Sequence, residues 1–158
     1  MAGERRGSGR RPKKGRAQRF SARRELERDL ADRPSVQERF SAADGLLDGS
    51  VSDAGGLWSR ATAWILRLAL EQSVDELWLR VAPELVRCPM RAQLLALRFF
   101  AGRQTAAQVA TIWSALSRAA HHHDYELAPS VTELRRWREQ TARLAGDLDA
   151  LRADPVAR

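Results

Sequence analysis

The segment LWSRATAWILRLALEQSVDELWLRV, residues 57–81, decides the fold class. Leu57, Ala61, Trp64, Ile65, Leu68 and Ala69 recur at three- and four-residue spacing. Val74, Leu77, Trp78 and Val81 carry the stripe on to Pro83, which stops it. That period predicts one long amphipathic helix with this stripe turned to a core. Downstream, Met90 to Phe100 is apolar on most sides, with Leu94, Leu95, Leu97, Phe99 and Phe100, and Gly102 follows as a stop. It reads as a buried central helix. Thr105 can cap a third helix whose Val109, Ile112, Trp113 and Leu116 face the core and which runs into the histidines. Pro129 then breaks the chain, and Ser130 to Glu133 reads as a capping box. In the helix it opens, Leu134, Trp137, Thr141, Leu144, Leu148 and Leu151 form a narrow seam for one helix neighbour or a second subunit. With no strand pattern and no internal repeat, residues 57–152 are expected to be all-α, an antiparallel bundle of about four main helices.

Outward from this domain the composition changes. Residues 1–24 hold ten Arg or Lys against the single acid Glu4, so the net charge of +7 belongs to them and the remainder is slightly acidic. With few apolar side chains and glycines at 3, 7, 9 and 15, this basic tail is expected to be disordered. Residues 25–56 read as a marginal helix, containing Leu26 and Leu30 and ended near Pro34, followed by a glycine-bearing linker over 41–56. Residues 153–158 read as a C-terminal tail. Of the 27 basic residues only Lys13 and Lys14 are lysines, a bias that fits a G+C-rich genome.

Cys88 is alone, which excludes an intrachain disulfide and favours the cytoplasm. Beside Pro89 and with no neighbouring base, it reads as inert rather than nucleophilic. The most apolar run, residues 61–70, is interrupted by Arg67 and falls well short of the roughly 20 residues of a membrane span. The N-terminus lacks the apolar stretch of a secretory signal. Trp58, Trp64, Trp78, Trp113 and Trp137 fall on or near the stripes and read as core anchors rather than base-stacking platforms.

All three histidines of the chain, His121, His122 and His123, stand together with two residues between them and Arg118, where the third helix runs out. Imidazole titrates near neutrality, and an imidazole beside a guanidinium can hold a phosphate and move a proton. Five positions separate Arg118 from His123, about 140° on a continuous helix, and a helix that ends at the histidines can swing His123 back beside Arg118. That pairing suits metal-independent RNA cleavage: histidine moves the 2′-hydroxyl or leaving-group proton while arginine stabilises the phosphoryl charge. Tyr125 and Glu126 could hydrogen-bond the imidazoles or a ligand, and His121 and His122 would support or cap. A purely structural reading stands beside this one, since histidines in the last turn of a helix complement its negative end. Metal binding is the weaker reading, because adjacent histidines diverge and Asp124 and Glu126 would have to complete the site.

The run from Arg118 to His123 resembles the HEPN superfamily (higher eukaryote and prokaryote nucleotide-binding domains). These are small antiparallel helical bundles whose nuclease members carry Arg, four to six residues, then His near the end of the third helix. The resemblance covers residues 57–152. It implies RNA cleavage at a site shared between two subunits of a homodimer, or RNA or nucleotide binding where catalysis is lost, with Arg118 and His123 as the pair. Ala119 departs from the polar residue common after the motif arginine. Placing His121 in the motif instead would put Leu116 in the arginine slot, so only the His123 register keeps both groups. No cofactor is implied. A reading from another class is a non-catalytic module that docks a protein partner through the last helix while the tail tethers it to nucleic acid.

The tail residues Arg5, Arg6, Arg10, Arg11, Lys13, Lys14, Arg16, Arg19, Arg23 and Arg24 have the charge to engage several phosphates without sequence preference. Deletion of residues 1–24 is expected to remove the salt-sensitive part of nucleic-acid retention, measured on an RNA column across a salt gradient. An unchanged elution profile would mean that these arginines reflect composition alone.

Overall fold

In the computed structural model of the protein, residues 32–49, 57–121 and 128–151 are described, together with Ser21, Arg24, Glu25 and Arg28. Of the tail expected to be disordered over 1–24, only Ser21 and Arg24 are described, and both are helical; residues 50–56 of the linker expected over 41–56 and the C-terminal tail at 153–158 lie outside the described residues. The chain divides into two units, residues 1–33 and 34–158. In the first, the four isolated residues are helical, with Ser21 Oγ donating to Glu25 Oε1 at 3.4 Å and Asp32 N to Arg28 O at 3.0 Å.

The second unit is all-α. Its helices are α1 (Val36–Leu47), α2 (Trp58–Val81), α3 (Met90–Leu97), α4 (Gly102–Ala120) and α5 (Val131–Ala150), with a 3-10 turn at Pro83–Arg87. Pro83 at the head of that turn ends α2 as expected, since proline cannot donate to the ladder. No strand occurs among the described residues.

The centre of the bundle is α2, not the 90–100 segment. It makes its most extensive contacts with α1, α4 and α5, and Ala63, Leu66, Ala69, Leu70, Val74, Leu77 and Trp78 are fully or almost fully buried. Of the expected stripe, Ala69, Val74, Leu77 and Trp78 are buried and Ile65 packs partly against the core, but Leu57 (61% exposed), Trp64 (51%) and Val81 (41%) lie outside, so the core face of α2 is turned away from the expected one in its first half. Small polar residues disguised the true one. Thr62 Oγ1 donates to Trp58 O at 2.7 Å and Ser73 Oγ to Ala69 O at 2.9 Å, which satisfies each hydroxyl within its own helix and lets it be buried.

The 90–100 segment is correspondingly corrected. Only the eight residues of α3 are helical, and Gln93, Leu94 and Leu97 face inward while Leu95 and Phe99 face out. A helix apolar all round is buried only where neighbours cover every side, and α3 has its main contacts with α4. Gly102, at φ +80°, makes the bend between α3 and α4, a backbone conformation that favours glycine. Thr105 is not a cap: α4 starts at Gly102.

The bundle also begins earlier than Leu57. Residues 36–47, expected to be the end of a marginal helix and a linker, form α1 and bury Phe40, Ala43 and Leu47. A full capping box opens it, Glu38 N donating to Ser35 Oγ at 3.2 Å and Ser35 N to Glu38 Oε2 at 2.7 Å. The Ser35 N–H, and then its hydroxyl, hold the Glu38 carboxyl below its ordinary pKa. This contribution is therefore complete above the ordinary glutamate range and fades as pH falls through the lowered value. Arg138 of α5 grips Asp44 with two bonds, at 2.8 and 2.6 Å, and lies over the Phe40 ring. Arg39 Nε donates to Gln72 Oε1 at 2.9 Å, tying α1 to α2.

In α5, Ser130 caps through Glu133 N at 3.2 Å. The seam residues Leu134, Thr141, Leu144 and Leu148 are fully buried against the chain's own helices, with Trp137 and Leu151 partly buried. Of the five tryptophans only Trp78 is wholly buried. Trp58, Trp113 and Trp137 pack partly against the core, and Trp64 is exposed.

Replacing Leu70 by Ala is expected to cost about 2–5 kcal/mol in urea unfolding, whereas Trp64→Ala should stay within about 0.5 kcal/mol. Equal costs would contradict the face assigned to α2.

Candidate functional site

The candidate site lies at the C-terminal end of α4, a helix laid down by one apolar edge. Ala106, Val109, Ile112, Leu116 and Ala119 are buried at three- and four-residue spacing, which fixes the rotation of the helix and leaves Arg118 exposed to solvent. Among the described residues no carboxylate pairs with Arg118. Leu116, which the alternative register would put in the arginine slot, is fully buried.

The helix closes on His121. Its N–H bonds to Ser117 O and Arg118 O, both at 3.2 Å, and its backbone leaves the helical region at φ −104°, ψ 19°. Across the groove to α2, Arg67 Nη1 stands 3.1 Å from His121 Nε2. A guanidinium can only donate, so Nε2 is the acceptor and a neutral ring carries its proton on Nδ1. Arg67 Nε in turn lies 3.7 Å from Glu71 Oε1, and the same oxygen accepts from Trp113 Nε1 at 2.8 Å. The result is a line from Trp113 through Glu71 and Arg67 to His121 that stitches α4 to α2. Arg118 in the last turn also offsets the negative end of the helix dipole. An anion approaching this end must therefore be held by side chains, not by the backbone.

Sequence reasoning singled out Arg118 and the histidines but missed Arg67 and Glu71, and it placed Trp113 as a core residue only. Arg67 stood out merely as an interruption of an apolar run. A charge in the middle of a central helix was the available signal, since such a residue needs a partner on a neighbouring element.

The other expected site residues, His122, His123, Tyr125 and Glu126, lie outside the described residues, as do the tail residues Arg5, Arg6, Arg10, Arg11, Lys13, Lys14, Arg16, Arg19 and Arg23. Arg24 is helical and exposed. Among the described residues no cluster of three His, Cys, Asp or Glu could hold a metal, and no helix is long and apolar enough to cross a membrane. A separate cleft of about 430 Å³ lies between α1, α2 and α5, lined by residues including Phe40, Ser73, Glu76, Arg80 and Arg138. Its arginines serve the bundle, Arg138 gripping Asp44 and Arg80 donating to Glu76 O in its own helix.

Compared with protein-family models, curated proteins and solved structures, the chain matches none.

Glu71→Ala leaves Trp113 Nε1 without its acceptor and Arg67 without its ion-pair partner, and is expected to cost about 1–3 kcal/mol in urea unfolding. The exposed Glu139→Ala, on α5, should fall within about 0.5 kcal/mol of the parent. If both variants unfold alike, the line from Trp113 to His121 contributes nothing to the bundle.

Proposed function

We propose that this chain is a small HEPN-like helical protein, working as a homodimer in the cytoplasm, that binds RNA or nucleotides at the C-terminal end of α4. It cleaves RNA there without metal, Arg118 holding the scissile phosphate and His123 moving the proton. The observation that carries this reading is Arg118 itself, exposed, unpaired with any carboxylate among the described residues, and in the last turn before the histidine run. Its free guanidinium can present two parallel donors to a phosphate. His121, engaged with Arg67, supports the turn instead of reacting.

The competing reading, docking of a protein partner through the last helix, is less favoured because the seam of that helix is already used inside the chain. The test is RNA degradation by purified protein in the presence of a chelator. Arg118→Ala and His123→Ala should each lower the rate by at least about a hundredfold while the far-ultraviolet circular dichroism stays that of the parent. Degradation unchanged in both variants would identify a contaminating nuclease and end the catalytic reading.

A further inference from the structure

From Leu85 to His123 the chain contains no aspartate or glutamate. That stretch builds α3, the bend after it and all of α4. Its arginines Arg87, Arg91, Arg98 and Arg103 are all exposed, and none pairs with a carboxylate among the described residues. Elsewhere in the bundle Arg67, Arg135 and Arg138 each meet an acid, while Arg60, Arg136 and Arg143 meet none among the described residues, so what sets the 85–123 stretch apart is that it holds arginines and no acid at all. Among the unpaired arginines stand the two most exposed large apolar side chains of the described residues, Leu95 (69%) and Phe99 (74%), one helical turn apart. The Arg98 guanidinium lies over the Phe99 ring, 4.7 Å from its centroid. The neighbouring Phe100 ring meets Trp78 edge-on at 5.1 Å, which anchors this corner to the core.

We infer that α3, the turn after it and the start of α4 present a single-stranded RNA-binding surface, with Phe99 as a base-stacking platform and Arg91, Arg98 and Arg103 as phosphate contacts. The inference rests on the RNA-binding reading above and names where the strand lies. An exposed aromatic ring set among planar cations offers what an unpaired nucleotide presents: a π-face to stack and a phosphate to neutralise. The charge selects an anionic partner, which disfavours a second copy of this chain meeting the same face, because arginine would oppose arginine. A bilayer is disfavoured by extent. The surface offers Leu95 on an eight-residue helix and Phe99 on the turn that follows, far from the continuous apolar face of an interfacial helix.

The experiment measures binding of a fluorescein-labelled twelve-nucleotide oligouridylate to the full chain by anisotropy over a range of salt. Phe99→Ala is expected to weaken binding about tenfold with little change in salt dependence. Arg91→Gln and Arg103→Gln should each lower the slope of affinity against salt by about one phosphate contact. Because these side chains are exposed, the variants should keep the parent's thermal midpoint. Parent-like binding by Phe99→Ala would overturn the inference. So would sedimentation with phosphatidylserine-containing vesicles that Phe99→Ala abolishes while RNA affinity is untouched. Arg118→Ala that still binds the oligonucleotide but no longer cleaves supports the catalytic reading, and the surface as well when Phe99→Ala weakens binding. A loss of affinity in Phe99→Ala with cleavage unaffected by Arg118→Ala and His123→Ala supports the surface alone. A parent that does not bind the oligonucleotide defeats both.

Discussion

Everything in the bundle follows from covering α2 with three other helices, while Trp64 on its remaining side stays exposed. A helix covered on one side can be served by a single neighbour, but this one requires α1, α4 and α5 together. Its hydroxyls make that possible. Thr62 and Ser73 bond back to carbonyls one turn earlier, so they enter the core without needing a partner from another helix. Gln72 and Arg67 cannot do this and reach out instead, Gln72 to Arg39 of α1 and Arg67 to His121 at the end of α4. The polar positions of the central helix thereby specify which neighbour stands on which side.

The arginines divide by place. Those on α5 that face α1 are clamps, with Arg138 on Asp44 and Arg135 on Asp48. The Asp48 pair is well exposed on both sides and of small energetic weight. Arg138 adds bidentate geometry and the Phe40 ring to its pairing. On α3 and α4 the opposite holds, since no acid is present in that part of the chain to answer the arginines. Positive charge therefore collects on one part of a domain whose overall balance, apart from residues 1–24, is slightly acidic. A sequence-wide net charge conceals that separation, and only the assignment of partners exposes it.

The helical class and the long helix at 57–81 were legible because period and length reinforce each other there. The position of α4 was legible for the same reason, Val109, Ile112 and Leu116 all being core residues as their spacing implies. Two features were not. The first is α1, whose Ser35–Glu38 capping box matches the signal read correctly as a helix start at Ser130, but whose glycine and aspartates suggested a linker. Tertiary contact overrode propensity there, because Phe40, Ala43 and Leu47 complete the cover of α2. The second is the environment of His121. Its spacing from Arg118 is local and readable, while Arg67 comes from a helix more than fifty positions away.

By itself, then, the sequence determined the all-α class, the extent of the helices at 57–81 and 131–150, and the core edge of α4. Each of these is a consequence of local periodicity, which a single strip of chain carries in full. Tertiary structure decided which helix is central, which face of α2 is inside and which arginines are answered by acids. Those outcomes depend on what covers each side of a helix. An apolar side chain such as Phe99 is left at the surface not by its own chemistry but by the lack of a neighbouring helix to cover it.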